Sequence, residues 1–176
     1  MDADFLLIRN MEKGNEDAFD KFVRKYYEDI LKYCCYHCSD LEYAEDLAQE
    51  TFIHFFTKLS DYRHIGKTKN FLYTIAGNLC KNYLKKRKEM PLEEDTLKNV
   101  AVEKEFTIDI LIKLEVENAL EHLPDELQEV VCLYFFQNLK LTEIADILKI
   151  GLPLVKYRMR QAKTQLKKYL EEDETK

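Results

Sequence analysis

Residues that break regular structure are scarce in this chain, which has only four glycines and three prolines among 176 residues. In β proteins such residues mark the many turns between short strands. Strict alternation of apolar and polar residues, the pattern of a half-buried strand, is also hard to find. The sequence therefore predicts an all-α fold.

Charge is segregated along the chain, although the formal net charge of −6 describes an acidic protein. Residues 67–88 carry seven basic side chains and residues 153–170 carry six, and neither segment contains an acidic residue. A solvated surface would explain either segment alone. Two acid-free segments, each on a predicted helix, favour two contacts with a polyanion.

An acidic and loosely periodic stretch separates the two cationic segments. It runs from about Glu89 to Lys113, and Pro91 blocks continuation of the preceding helix. We interpret residues 91–113 as a linker between two small helical domains, an N-terminal one over 1–90 and a C-terminal one over 114–172.

The C-terminal domain has the pattern of a helix-turn-helix. One helix is expected to bury Val130, Val131, Tyr134 and Phe135, and Thr142 is expected to cap the next. After a turn at 149–152, Pro153 begins a last helix with an apolar face and an adjacent basic stripe. An apolar back with a cationic front is typical of a recognition helix in the major groove. A helical hairpin with a solvated basic face is the alternative.

Two helices of the N-terminal domain combine apolar and polar faces. The helix over 41–59 is predicted to bury Ala44, Leu47, Ala48, Thr51, Phe52, Phe55 and Leu59, with acidic and amide groups around Ile53 on its other side. A polar loop over 61–70 leads into a second helix with a predicted buried stripe of Phe71, Ile75, Leu79 and Tyr83. Its asparagines and lysines suit base edges and phosphates, and aromatics beside a loop suit unstacked bases.

Five cysteines, an odd number, argue against export, as does an acidic N-terminus without an apolar leader. We therefore expect a cytoplasmic protein. Cys34, Cys35 and Cys38 crowd together beside His37, but no second ligand pair completes a zinc site. Core packing is the favoured explanation for this cluster, and thiol or metal sensing remains an alternative.

The sequence resembles the extracytoplasmic-function group of the sigma-70 family over nearly its whole length. Residues 44–52, Ala-Glu-Asp-Leu-Ala-Gln-Glu-Thr-Phe, give the most specific match and are similar to the family's polymerase-clamp-binding segment. Residues 71–78 resemble the segment that recognises and melts the −10 promoter element. Residues 123–162 resemble the domain that recognises the −35 element.

This resemblance implies a sigma factor that acts without a cofactor or metal. Its partners would be core RNA polymerase, promoter DNA that is duplex at −35 and melted at −10, and an anti-sigma factor. The polymerase-binding residues would be Asp46, Gln49, Glu50 and Ile53. The −10 element would be contacted by His64, Lys67, Lys69, Asn78, Lys81, Asn82, Lys85, Lys86 and Arg87. The −35 element would be contacted by Lys156, Tyr157, Arg158, Arg160, Gln161 and Lys163.

Four positions depart from the family's pattern. Phe71 stands where tryptophan is usual, and Asn82 stands where an acidic residue is usual. Pro153 and Leu154 replace the glycine and threonine that commonly open the recognition helix, which removes a capping hydroxyl. Promoter preference therefore does not carry over to this chain by analogy with the family.

A stand-alone helix-turn-helix regulator with an N-terminal dimerisation domain is the main alternative function. It would bind a palindromic duplex without polymerase. An enzyme is not expected, because the sequence contains neither a phosphate-binding glycine loop nor an acid–base constellation.

Overall fold

A computed structural model describes residues 3–38, 40–63, 66–89 and 119–173 of the chain. Within these ranges the protein consists of helices and turns without a strand, as the scarcity of glycine and proline predicted. The described helices form two compact units, one built largely from residues before 90 and one largely from residues after 118. In the described part of the chain, no helix is long and apolar enough to cross a bilayer.

The first unit contains four helices, α1 (Ala3–Glu12), α2 (Glu16–His37), α3 (Leu41–Thr57) and α4 (Thr68–Glu89). Helix α2 packs against the other three, and α3 also packs against α4. Side-chain caps set two of the starting points. Asn15 accepts a hydrogen bond from the Ala18 amide at 3.2 Å, and Asp40 accepts one from the Glu42 amide at 2.9 Å.

Aromatic rings fill the core of this unit. Phe22 of α2 stacks on Phe55 of α3 with 4.8 Å between ring centroids, and both side chains are fully buried. Tyr33 packs edge-on against Tyr73 of α4 at 5.3 Å. The hydroxyl of Tyr33 lies where a side chain on Gly77 would begin, because a Cβ at Gly77 would stand 2.9 Å from it. Gly77 therefore allows α4 to approach α2 closely.

Helix α1 is anchored to α2 through one carboxylate. Asp4 is buried and accepts hydrogen bonds from the Tyr26 hydroxyl and the Lys25 ammonium, each at 2.5 Å. A buried carboxylate is tolerated when it is both paired with a cation and hydrogen-bonded.

The second unit contains α5 (Asp125–Val131), a π-helical segment (Cys132–Phe136), α6 (Leu141–Leu148) and α7 (Leu152–Asp173). Helix α5 packs against α7, and Val130, Leu133, Ile144, Val155 and Ala162 are fully buried. The turn after α6 has Lys149 in the left-handed region at φ 54°, and the Ile150 amide donates to the Ala145 carbonyl at 3.1 Å. This bond closes a Schellman-type helix end.

Three local expectations were wrong. Helix α6 begins at Leu141, so Thr142 lies inside its first turn and does not cap it. The Glu143 carboxylate instead accepts a hydrogen bond from the Lys140 amide at 2.8 Å.

The second correction concerns the buried side of α4 in the first unit. This helix buries the stripe of Leu72, Tyr73, Ala76 and Cys80, so the predicted stripe of Phe71, Ile75, Leu79 and Tyr83 is only half-buried.

The third correction concerns the aromatic run after α5. Val130 and Val131 are buried as expected, but Tyr134 and Phe135 are 37% and 53% exposed. A π turn holds more residues than an α turn. Side chains in the π-helical segment therefore point in different directions from those that an α-helix would give them. An α-helical extrapolation from Val130 therefore fails at these two residues.

Candidate nucleic-acid and protein interfaces

An exposed stripe runs along α3 and consists of Asp46, Gln49, Glu50 and Ile53, here named the α3 stripe. Their spacing of three and four residues places them on one side of the helix. The opposite side is buried as predicted, through Ala44, Leu47, Ala48, Thr51, Phe52 and Phe55.

The α3 stripe combines charge with an apolar centre. Ile53 is 62% exposed, which is unusually high for an isoleucine in a folded domain. The Glu50 carboxylate lies 3.5 Å from His54 Nε2, and both side chains are about half exposed. Acidic and amide groups around an exposed aliphatic residue resemble the composition of a protein-binding surface.

A second exposed surface, the α4 face, consists of Asn78, Lys81, Asn82 and Lys85. Lys86 and Arg87 are also exposed at the end of the same helix. Both asparagines project into solvent one turn apart, so their amides are accessible to a base edge. The face contains four hydrogen-bonding or cationic groups. No acidic residue precedes Glu89 on this helix, so these groups have no acidic neighbour on α4 up to that position.

The remaining residues predicted to contact the −10 element have different surroundings. Lys67 is exposed. Lys69 is held by α2, because its ammonium lies 2.8 Å from the Asp29 carboxylate and 5.8 Å from the centroid of the Tyr73 ring. His64 lies outside the described residues. The structure therefore ties Lys69 to the packing of the unit.

Phe71, which replaces the family's usual tryptophan, belongs to an aromatic cluster at the start of α4. Its ring centroid lies 5.1 Å from that of Tyr62 and 6.0 Å from that of Phe55. The Tyr62 hydroxyl is 3.4 Å from the hydroxyl of Thr68, which is buried. Half-buried aromatic rings at this position offer a surface on which a base can stack.

The third surface lies on the solvent side of α7 and consists of Lys156, Tyr157, Arg160 and Lys163, here named the α7 face. The opposite side is apolar and buried at Val155, Met159 and Ala162, as predicted. The Arg160 guanidinium carbon lies 5.8 Å from the Tyr157 ring centroid, within the range of a cation–π contact. Gln161 is half-buried beside this face.

Arg158 differs from the other basic residues of α7. Its Nη2 atom lies 2.5 Å from Glu126 Oε2 of α5, and only 17% of its side chain is exposed. The sequence offered no signal for this pair, because the two residues are 32 positions apart. The structure thus brings Arg158 to the edge of the α7 face while binding it to α5.

Two exposed apolar features were not recognised from sequence. Leu154 is 41% exposed in the first turn of α7. The run Tyr134, Phe135 and Phe136 is exposed on the π-helical segment, where the Lys163 ammonium lies 6.0 Å from the Phe135 ring. Leu154 lies about 100° around the helix from Val155, outside the predicted apolar face, and this position was the signal that could have identified it.

The cysteines are distributed between core and surface. Cys34, Cys38, Cys80 and Cys132 are buried, whereas Cys35 is exposed. Although Cys35 is exposed, packing around its thiol removes part of its water and raises its pKa above the ordinary value, and the neighbouring Cys38 and Glu45 act in the same direction. Among the described residues, no group of three or more histidine, cysteine or acidic side chains is arranged to hold a metal ion.

Two family models match the chain in the order in which the surfaces occur. The model for sigma-70 region 2 matches residues 22–89, which include the α3 stripe and the α4 face. The model for sigma-70 region 4 matches residues 113–166, which include the α7 face.

Curated relatives match along almost the whole chain. The RNA polymerase sigma factor YlaC of Bacillus subtilis is 31% identical, over 88% of this chain and 92% of its own length. The ECF RNA polymerase sigma factor SigW of the same species is 28% identical, over 93% and 94%. The RNA polymerase sigma-H factor of Pseudomonas aeruginosa is 27% identical, over 97% and 95%.

Solved structures share the fold. CnrH, in complex with the cytosolic domain of CnrY, superposes with a TM-score of 0.76 at 20% identity, over 98% of this chain and 99% of its own. The sigma factor RpoE of Bartonella quintana, in complex with the anti-sigma factor NepR, gives 0.67 at 19% identity, over 87% and 96%. With two sigma-70 regions in the family's order and relatives of the same length, the chain belongs to the extracytoplasmic-function group of the sigma-70 family and is a sigma factor that directs RNA polymerase to promoters.

Proposed function

We propose that the three surfaces divide the work of this sigma factor between polymerase, the −10 element and the −35 element. The observation that carries the proposal is the pair of acid-free cationic helix faces, on α4 and α7, in an otherwise acidic chain. Cationic faces attract phosphates, and the acidic remainder discourages non-specific binding to DNA. In this proposal residues 1–90 and 114–172 are the two functional domains, and residues 91–113 connect them.

The α3 stripe is the proposed binding site for core RNA polymerase. Asp46, Gln49 and Glu50 supply acidic and amide groups, and the exposed Ile53 supplies an apolar contact that would lose its water on binding. The buried side of α3 packs on α2 and α4, so the stripe stands on a rigid element.

The α4 face is the proposed contact with the −10 element. Asn78 and Asn82 offer paired donors and acceptors to exposed base edges, while Lys67, Lys81, Lys85, Lys86 and Arg87 neutralise phosphates. Lys69 contributes less directly, because Asp29 already holds its ammonium. His64 and the loop that contains it are proposed to receive an extruded base beside Phe71.

Base capture would couple recognition to melting. Extrusion of a base costs a few kcal/mol, which binding of that base beside the aromatic cluster would offset. We propose that the protein itself performs no hydrolysis, and that the free energy of binding the open strand drives melting of the duplex. The compartment in this proposal is the cytoplasm, where core polymerase and promoter DNA are available.

The α7 face is the proposed contact with the −35 duplex. Lys156, Arg160 and Lys163 project from the side of α7 that faces away from the core, and Tyr157 and Gln161 lie between or beside them. Arg158 is proposed to act at the edge of this face, with its guanidinium oriented by Glu126. A recognition helix docked in this way places its N-terminal residues at base edges.

An anti-sigma factor is a proposed further partner. Two structures with the same fold were solved with such a protein or with a cytosolic domain bound, namely RpoE with NepR and CnrH with CnrY. The exposed apolar residues of α3 and of the π-helical segment are candidates for that contact.

Competition for core RNA polymerase tests the proposal. The purified chain should displace a housekeeping sigma factor from bacterial core enzyme, and reversal of charge at Asp46 should abolish the displacement. A folded chain that fails to bind core polymerase, yet protects a palindromic duplex alone, would instead support a stand-alone regulator. Family membership favours the first outcome.

A further inference from the structure

Leu154 is an apolar residue in a position where a recognition helix meets DNA. The Gly151 carbonyl accepts hydrogen bonds from the amides of Leu154 at 3.0 Å and Val155 at 3.2 Å, so these residues form the first turn of α7. Val155 is fully buried, whereas Leu154 is 41% exposed. The side chain of Leu154 is therefore not required to complete the core of the second unit.

Tyr157 extends the same apolar surface by one turn. Residues three apart on a helix are neighbours, and the Tyr157 side chain is 49% exposed. Arg160 lies against the Tyr157 ring, and the exposed Lys156, one turn before Arg160, lies on the side of Tyr157 away from Leu154. An apolar pair of side chains thus stands beside the cationic residues of a helix that has no acidic residue from 153 to 170.

The charge of this surface identifies its occupant as duplex DNA rather than an apolar protein segment. The lysine and arginine side chains beside the pair complement phosphates, which a hydrophobic protein partner would not supply. Among the four bases, thymine alone presents an apolar group, its 5-methyl, in the major groove. The leucine side chain and the carbons of the tyrosine ring have no hydrogen-bond donor or acceptor that would favour another base. The only such group on the pair is the hydroxyl at the end of the tyrosine side chain.

We infer that Leu154, together with Tyr157, determines specificity at the −35 element by contact with thymine 5-methyl groups. This inference rests on the proposed function, in which α7 enters the major groove. It assigns a consequence to the replacement of the family's usual threonine by Leu154. The −35 element of this sigma factor would then contain at least one A·T pair that is preferred for its methyl group.

Deoxyuridine provides the test, because it differs from thymine only by the missing methyl group. A −35 element is first selected by the reconstituted holoenzyme from templates that are randomised in that region. Each thymine on either strand is then replaced singly by deoxyuridine, and holoenzyme binding is measured. We expect one or two replacements to weaken binding about threefold to fivefold, the size of one buried methyl group.

The Leu154→Ala variant identifies the residue that makes the contact. Its holoenzyme should bind the thymine template more weakly and should no longer distinguish thymine from deoxyuridine at those positions. The matched control is Leu170→Ala, which truncates a leucine that is 42% exposed on the same helix, about 24 Å farther along. That variant should retain the full methyl effect.

The outcomes separate this inference from the function on which it rests. Equal binding of thymine and deoxyuridine at every position, or a methyl effect that persists in Leu154→Ala, would overturn the inference. If Lys156→Ala and Arg160→Ala still weaken binding in that case, the −35 role of α7 stands. If those two variants also bind normally, the proposed role of α7 is wrong as well.

Discussion

Arg158 Nη2 donates a hydrogen bond to Glu126 Oε2 at 2.5 Å, which ties α7 to the first turn of α5 within the second unit. Glu126 is 70% exposed, so solvent screens the pair and its contribution to stability is at most about 1 kcal/mol. The pair instead restricts the guanidinium to one direction. Arg158 is thus oriented before any contact with DNA is made.

Replacement of Arg158 by alanine separates a DNA contact from a structural one. We expect Arg158→Ala to weaken holoenzyme binding to the −35 element about tenfold or more, since a lost arginine contact costs about 1–3 kcal/mol. Glu126→Gln, the control, keeps the guanidinium and should leave binding within about twofold of wild type. Equal losses in both variants would mean that the effect comes from loss of the Arg158–Glu126 pair, and would remove the support for a direct contact between Arg158 and DNA.

Charge reversal in the α3 stripe should disrupt holoenzyme formation. Asp46→Lys is expected to weaken binding to core polymerase at least tenfold, because it places a like charge where a basic partner surface is proposed. Glu12→Lys makes the same change at an exposed acid of α1 and should have little effect. Circular dichroism checks that both variants fold. Comparable binding by the two variants would argue against the α3 stripe.

Removal of the two asparagine amides should impair promoter opening more than promoter binding. The double variant Asn78→Ala and Asn82→Ala is expected to lower permanganate reactivity of thymines around −10, while protection at −35 persists. Asn10→Ala removes an exposed asparagine from α1 and serves as the control. Normal opening by the double variant would remove both amides from the proposed −10 contact.

The close approach of α4 to α2 predicts a stability change at Gly77. A methyl group there would meet the buried Tyr33 hydroxyl at 2.9 Å, and the crowding should outweigh the helix-propensity gain of alanine. We expect Gly77→Ala to lower the free energy of unfolding by about 1 kcal/mol, measured by urea denaturation. Gly151→Ala is the control, because its Cβ would contact only Pro153 at 3.6 Å.

A second change tests the cause of that loss. Tyr33→Phe removes the crowding oxygen, so the double variant Tyr33→Phe and Gly77→Ala should lose less than the two single losses added together. Simple additivity would show that the Tyr33 hydroxyl is not what opposes a side chain at position 77.

Tyr83 predicts an alkaline decline in stability. Burial, followed by a hydrogen bond with Cys38, raises the pKa of Tyr83 from 10.0 to about 12. The folded protein therefore holds this proton more tightly than the unfolded chain. The associated stability is fully present below pH 10 and is lost as pH rises through about 12.

The Tyr83→Phe variant isolates this contribution from that of the other tyrosines. Between pH 10 and 12, the free energy of unfolding should fall more steeply for wild type than for Tyr83→Phe. Urea denaturation at several pH values measures both slopes. Parallel slopes would mean that Tyr83 titrates at the same pH in the folded and unfolded chains.

The faces of α3 and α7 could be predicted from sequence because their apolar residues repeat with a single helical period. Helix α4 offers two apolar stripes, and periodicity alone does not show that small Ala76 and Cys80 are buried in preference to Leu79 and Tyr83. The packing of Tyr33 against Gly77 decides between them. Pairing of Arg158 with Glu126 likewise depends on tertiary contacts that local sequence does not encode.

The π-helical segment Cys132–Phe136 also bears on how this chain is compared with its relatives. A π turn closes its hydrogen bonds over one residue more than an α turn, so this segment holds an extra residue relative to an α-helix along the same path. Where a relative continues in plain α-helix, an alignment should therefore carry a one-residue gap within 132–136, and not in the loop that follows. A gap moved into the loop would match Tyr134, Phe135 and Phe136 to residues on the wrong side of the relative's helix.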